Sequence, residues 1–200
     1  LTAQATKCAA ALTATRQKAA TNLQQLLVEK VCYLGMPNVR FAAELTSSKT
    51  EFTPSGADQI AFMFSANKNQ PLKPAGEVAS GGEISRLMLS IKSLVASART
   101  LPTIIFDEID TGVSGDIADR MGEVMKELSS HLQVITITHL PQVAGKGDQH
   151  FKVYKSDDTD TTTTHISPLS ADERLQEVAR MLSGSNITKE ALANARTLMK

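Results

Sequence analysis

Thr103-Ile104-Ile105-Phe106-Asp107-Glu108 is an apolar run that ends in two adjacent acids. β-favouring residues without polar alternation read as a strand buried on both faces, the pattern of a parallel sheet. The acids then fall at the carboxyl end of the strand, the edge where open α/β sheets bind ligands. One carboxylate there can hold Mg²⁺, largely through water, because magnesium keeps much of its hydration shell. Its neighbour can orient or deprotonate an attacking water. Asp107 is the candidate metal partner and Glu108 the candidate base; the plain alternative is a strand that stops in an acidic turn.

Gln133-Val134-Ile135-Thr136-Ile137-Thr138-His139 is a second buried-strand pattern with a histidine at its carboxyl end. A lone histidine after a strand is more often a cap. If the two strands are parallel neighbours, however, His139 and Glu108 share an edge, where an imidazole can donate to a phosphate and to an attacking water. A third pattern, Ser80-Gly81-Gly82-Glu83, precedes the helical run Ile84–Val95. Ser80 at the N-cap and Glu83 three residues on form a capping box. Two glycines in a first turn nevertheless weaken a helix. Their missing side chains let an anion reach the amides at the positive helix end, so the stretch reads as a phosphate-binding helix N-terminus.

Around these motifs, residues 1 to about 34 lack proline and glycine, with apolar or small residues at Leu1, Ala5, Cys8, Leu12, Ala19, Leu23, Leu26, Val31 and Leu34. The spacing predicts a long helix, either a coiled-coil end or an amphipathic surface helix, stopped by Gly35 and Pro37. Strands are expected at Val39–Thr46 and Gln59–Ser65 around the turn-rich Pro54–Asp58, then a loop over 66–79. A helix over Gly81–Ala98, the strand Thr103–Phe106, a helix over Asp116–Ser129 and the strand Gln133–Thr138 follow. Strand, helix, strand is a βαβ unit. A hairpin joining Phe151–Lys155 to Thr162–Ser167 through the acidic Asp157–Asp160, and helices over about 170–182 and 188–199, complete the chain.

Bulk properties exclude more than they assign. Lysine plus arginine and aspartate plus glutamate are 21 each in 200 residues, so nothing in the charge favours nucleic acid or an anionic membrane. Two cysteines, Cys8 and Cys32, fit neither a metal motif nor a disulfide framework, which suits a reducing cytosol. No run reaches a membrane span of roughly 18 apolar residues. A start at Leu1, inside a helix, is expected of a piece of a longer protein.

Together the motifs resemble an ABC-type ATPase head: Ser80–Glu83 is similar to the signature motif, Ile104–Glu108 to Walker B, and His139 to the switch histidine, in the right order. The finer resemblance is to the RecN family of bacterial DNA-repair proteins, relatives of the SMC (structural maintenance of chromosomes) ATPases. It rests on Phe64–Asn67, Pro71–Pro74, Val78–Glu83, Phe106–Gly115 and Thr138–Ala144, and covers nearly the whole chain. It implies an α/β fold: the C-terminal lobe of an ABC-type head over 37–200, with a central parallel sheet, flanking helices and antiparallel hairpins. A coiled-coil-end helix over 1–36 would precede it. Thr111, Gly112, Val113 and Ser114 stand where broader ABC members carry a D-loop ending in Leu-Asp, so the resemblance implies a D-loop-like stretch at Thr111, Gly112 and Ser114 that departs from the broader pattern.

No G-x-x-x-x-G-K-[ST] phosphate loop is present, and Gly145-Lys146-Gly147 has the wrong spacing. In RecN-like proteins that loop belongs to an N-terminal lobe beyond the coiled coil. The resemblance therefore implies ATP and Mg²⁺ as ligands and the N-terminal lobe of the same protein as a partner. It further implies a homodimer of ATP-sandwiched heads in a cytoplasmic, nucleoid-associated protein, acting on DNA. Asp107, Glu108 and His139 would serve the ATP of their own head, while Ser80, Gly81, Gly82 and Glu83 would reach the partner's. Alternatives are another SMC-like head, a transporter nucleotide-binding domain, or a non-enzymatic dimerisation scaffold.

Overall fold

The computed structural model describes residues 2–48, 50–77, 81–98, 101–157 and 161–200. The chain divides into two units, Leu1–Leu94 and Val95–Lys200.

In the first unit, helix α1 (Thr2–Tyr33) runs unbroken because nothing in it interrupts the backbone, and it stops where Gly35 takes a left-handed φ of 82°. Strands β1 (Arg40–Ser47) and β2 (Asp58–Ser65) form the expected hairpin, in antiparallel register with Phe41 opposite Phe64 and Leu45 opposite Ile60. The stretch expected to be a loop carries more order. β3 (Lys73–Pro74) pairs with β2, and a 3₁₀ turn (Ala75–Glu77) follows. Proline is tolerated there because β3 is the edge strand of the sheet, which runs β1-β2-β3. Leu27 and Val31 of α1 pack with Met36, Val39, Phe41, Phe64 and, from helix α2 (Gly81–Ala98), Leu87. Phe64 is 2% exposed, so its truncation to alanine is expected to cost about 3–5 kcal/mol. Arg86 ties α2 down, its Nη1 donating to the Leu34 carbonyl at 3.2 Å and its Nε to the Gly82 carbonyl at 2.9 Å.

The buried stripe of α1 is rotated from the expected seam. Ala5, Leu23, Val31 and Leu34 lie on it, but Cys8, Leu12, Ala19 and Leu26 are exposed, Thr13, Arg16 and Leu27 lie on it instead, and Leu1 is outside the described residues. A polar clamp accounts for the rotation. The Asp58 carboxylate, at the start of β2, accepts hydrogen bonds from Ser47 Oγ at 2.5 Å, Thr13 Oγ1 at 2.6 Å and Arg16 Nη1 at 2.9 Å. Arg16 Nη2 also donates to the Ser55 carbonyl at 2.6 Å. An alanine-rich seam specifies rotation weakly, so directed bonds prevail.

The second unit is built on a βαβ unit: β4 (Thr103–Asp107), α3 (Gly115–Ser129) and β5 (Gln133–Ile137). β4 and β5 are parallel, with Thr103 beside Gln133 and Asp107 beside Ile137. α3 buries Ala118, Met121, Val124, Met125 and Leu128 along one face. The expectation that the strands are buried on both faces fails. Phe106 is fully buried, yet Ile105, Ile135 and Ile137 are 56%, 43% and 51% exposed. An unbroken apolar run reads the same whether or not its own segment supplies the second covering layer.

Helix α4 (Pro141–Lys146) has no counterpart in the expected elements. Pro141 opens it at a first-turn position that needs no N–H. Gly145 lies in α4 where a Cβ would come within 2.8 Å of the Leu198 carbonyl oxygen, which explains that glycine as a packing contact. The hairpin β6 (Phe151–Asp157) and β7 (Thr162–Pro168) is present; residues 158–160 of its expected acidic turn lie outside the described residues. Helices α5 (Ala171–Ser183) and α6 (Lys189–Leu198) pack through Val178, Ala179, Ala191 and Ala195. Arg174 joins α5 to the end of α4 by donating to the Gly145, Gly147 and Asp148 carbonyls.

The clamp is open to test. The three donors, Ser47 first, then Thr13 and Arg16, lower the Asp58 pKa from 3.8 to about 2. A depressed carboxylate stabilises the fold above its ordinary pKa and loses that contribution as pH falls through the shifted one. Wild-type stability, followed by circular dichroism, should therefore fall between about pH 4 and pH 2 more steeply than that of Asp58→Asn. Equal slopes would mean that Asp58 is not clamped.

Candidate functional site

The parallel register sets the site. Asp107 ends β4 opposite Ile137, the Glu108 N–H donates to the Ile137 carbonyl at 3.1 Å, and His139 follows two residues later. Asp107, Glu108 and His139 thus leave the sheet at one edge, as expected from the two runs. Asp107 and Glu108 are exposed, and the His139 side chain is 64% exposed.

The backbone at this edge is unusual. Glu108 has a φ of 46°, the left-handed region that residues with a Cβ avoid. The following turn holds it there: the Glu108 carbonyl accepts from the Thr111 N–H at 3.3 Å and from Thr111 Oγ1 at 2.9 Å. Non-glycine residues kept in such a conformation cluster at functional sites. Gly112 (φ 75°) and Gly115 (φ 59°) complete the turn into α3. Ser114 is the exposed N-cap of α3, but its hydroxyl makes no capping bond.

Asp110 is the residue that sequence reading missed. It lies in the turn but is fully buried, and its Oδ2 accepts the Thr138 hydroxyl. Its Oδ1 lies 3.7 Å from His139 Nδ1. The signal was the repeated acid in Asp107-Glu108-Ile109-Asp110; aspartate is so seldom fully buried that its spacing alone suggests exposure.

Gly81, Gly82 and Glu83 open α2, in the first unit; Ser80, with its expected capping bond, lies outside the described residues. A Cβ at Gly81 would meet no atom within 4 Å, and its φ is not left-handed. Neither packing among the described residues nor backbone geometry explains that glycine.

Among the described residues no three of histidine, cysteine, aspartate or glutamate gather into a ready-made metal cage. The single exposed carboxylate of Asp107 suits a largely hydrated Mg²⁺ that takes its other oxygens from phosphate. Two cavities, of 380 Å³ and 460 Å³, lie beside Asp148 and Arg174, away from the β4–β5 edge. No helix among the described residues is long and apolar enough to cross a membrane.

No protein-family model matches the chain. A crystal structure of the Smc head domain with a coiled coil and joint from Pyrococcus yayanosii superposes with a TM-score of 0.63 at 20% identity. The match covers 84% of this chain and 30% of that one. A second structure, described as concerning ATP-driven dimerization and DNA stimulated activation of SMC ATPases, gives 0.58 at 16% identity, covering 86% and 98%. The fold is therefore that of an SMC-type ATPase head lobe. In sequence, the DNA repair protein RecN of Haemophilus influenzae is 42% identical over 191 residues, which is 96% of this chain and 34% of that protein. The chain is a homologue of RecN that spans about a third of the length of the curated relative it matches.

The strained turn makes a direct prediction. Glu108→Gly removes the Cβ that makes a left-handed φ unfavourable, so it should stabilise the second unit by about 1 kcal/mol in denaturant unfolding. A loss of stability would show that the conformation carries no strain.

Proposed function

We propose that this chain is the C-terminal lobe of a RecN-like ATPase head that acts in DNA double-strand break repair. The single observation that carries the reading is the shared edge on which β4 and β5 present Asp107, Glu108 and His139, in a chain homologous to RecN. Asp107 would hold Mg²⁺, which when bound would neutralise charge developing on the transferred phosphate. Glu108 is the base that orients and deprotonates the attacking water; its left-handed backbone turns it out of the line of β4. His139 donates to the γ-phosphate from the same edge.

Ser80, Gly81, Gly82 and Glu83 face the ATP of a second head, and Thr111, Gly112 and Ser114 line the contact between heads. An unexplained glycine at 81 and an uncommitted Ser114 hydroxyl support this division. So does the chemistry named for the SMC relative, ATP-driven dimerization. The phosphate loop comes from an N-terminal lobe of the same protein, which also covers Ile105, Ile135 and Ile137. α1 is the returning end of the coiled-coil arm that joins the lobes. ATP binding closes the head pair and hydrolysis opens it, a population shift driven by differential binding. DNA is the expected partner in the cytoplasm, by homology to a DNA repair protein.

The 200-residue chain alone should not turn over ATP, because it lacks the phosphate loop; sustained phosphate release by the purified chain would refute the split site. In the full-length protein Glu108→Gln should retain ATP binding and lower kcat by at least about 100-fold, the usual scale for losing a general base. An unchanged kcat would remove Glu108 from the base role.

A further inference from the structure

We propose that Asp110 is a positioning residue for His139, its buried carboxylate receiving the Nδ1 proton so that Nε2 is turned outward, where it accepts from water in the neutral ring and donates to the phosphate as the imidazolium. The inference rests on the function proposed above only for what Nε2 meets.

Three observations carry it. The Thr138 hydroxyl accepts from the Leu140 N–H at 3.0 Å, so its own proton is free to go to Asp110 Oδ2. That chain ties down the residues on both sides of His139 and fixes where its ring begins. The second oxygen, Asp110 Oδ1, is buried and has no hydrogen-bond partner among the described residues. A buried carboxylate oxygen left unmet is unfavourable. Finally, His139 Nδ1 lies 3.7 Å from that oxygen, and the His139 side chain is otherwise largely exposed.

A purely structural role, in which Asp110 only anchors Thr138, explains Oδ2 but not Oδ1. A neutral asparagine or a threonine would accept that hydroxyl equally well. A carboxylate turned to one imidazole nitrogen selects the tautomer and the ring orientation, the task of the orienting acid in other histidine-based sites.

The test is ¹⁵N–¹H correlation of the His139 ring in the 200-residue chain at alkaline pH, where the imidazole is neutral. The wild-type ring should be predominantly the Nδ1–H tautomer. In Asp110→Asn the amide N–H₂ faces Nδ1, and the ring should change to Nε2–H. A wild-type ring that is mainly Nε2–H overturns the inference without needing any variant, and so does a folded Asp110→Asn protein with an unchanged tautomer. In the full-length protein Asp110→Asn should lower kcat at least about tenfold while KM for ATP stays within about twofold, since the loss falls on orientation rather than binding. A change confined to a raised KM, with kcat unaltered, would contradict it. Because the tautomer readout does not pass through ATP turnover, an inactive wild-type full-length protein would count against the proposed function, and an Nε2–H ring against the role of Asp110.

Discussion

The hydrogen bond from the Glu108 N–H to the Ile137 carbonyl is the last rung between β4 and β5, and the site depends on it. Strand side chains alternate between faces, so a slip of one residue would send Asp107 to the other face and draw His139 back along the edge. With the rung in place, the chain leaves β4 through a left-handed Glu108 and leaves β5 through Thr138. The two exits meet at Asp110, which accepts from Thr138 and faces His139. The turn from Glu108 to Gly115 and the N-terminus of α3 follow from the same point.

Much of this arrangement was legible in the sequence. Two apolar runs, each ending in chemistry-bearing residues and separated by a helix-length segment, specify a parallel pair with a common edge. Boundaries of β4, β5, α3 and α2 agree with expectation within a residue or two. What escaped reading escaped for physical reasons. Ile105, Ile135 and Ile137 look like core because hydrophobicity records that a residue will be covered and not which segment covers it. The rotation of α1 was set by Thr13, Arg16 and Asp58, polar residues that a search for apolar periodicity passes over. α4 has six residues, too few to show a helical period, and only Pro141 announced it. Asp110 was hidden by its charge.

The two glycines at the start of α2 and the open face of the parallel sheet describe the same condition from two sides. A fold complete in itself would fill the space beside Gly81 and cover its isoleucines. Among the described residues neither happens, as the proposed function requires of a lobe whose site is completed by other parts. In the proposed function, groups at the β4–β5 edge would act on the nucleotide of their own head and groups at the start of α2 on another's.

That division is tested most directly by mixing two full-length variants, Gly81→Asp and Glu108→Gln, each silenced in one half of the shared site. A Cβ at Gly81 meets no atom within 4 Å among the described residues, so the proposed function assigns the effect of Gly81→Asp to the partner's phosphate. Each variant alone should be inactive. After subunit exchange, half of the pairs would be mixed and each would hold one intact composite site, so phosphate release should return to about a quarter of wild type. A mixture as inactive as its parents would contradict the account, because it would place both groups at the same ATP of one head.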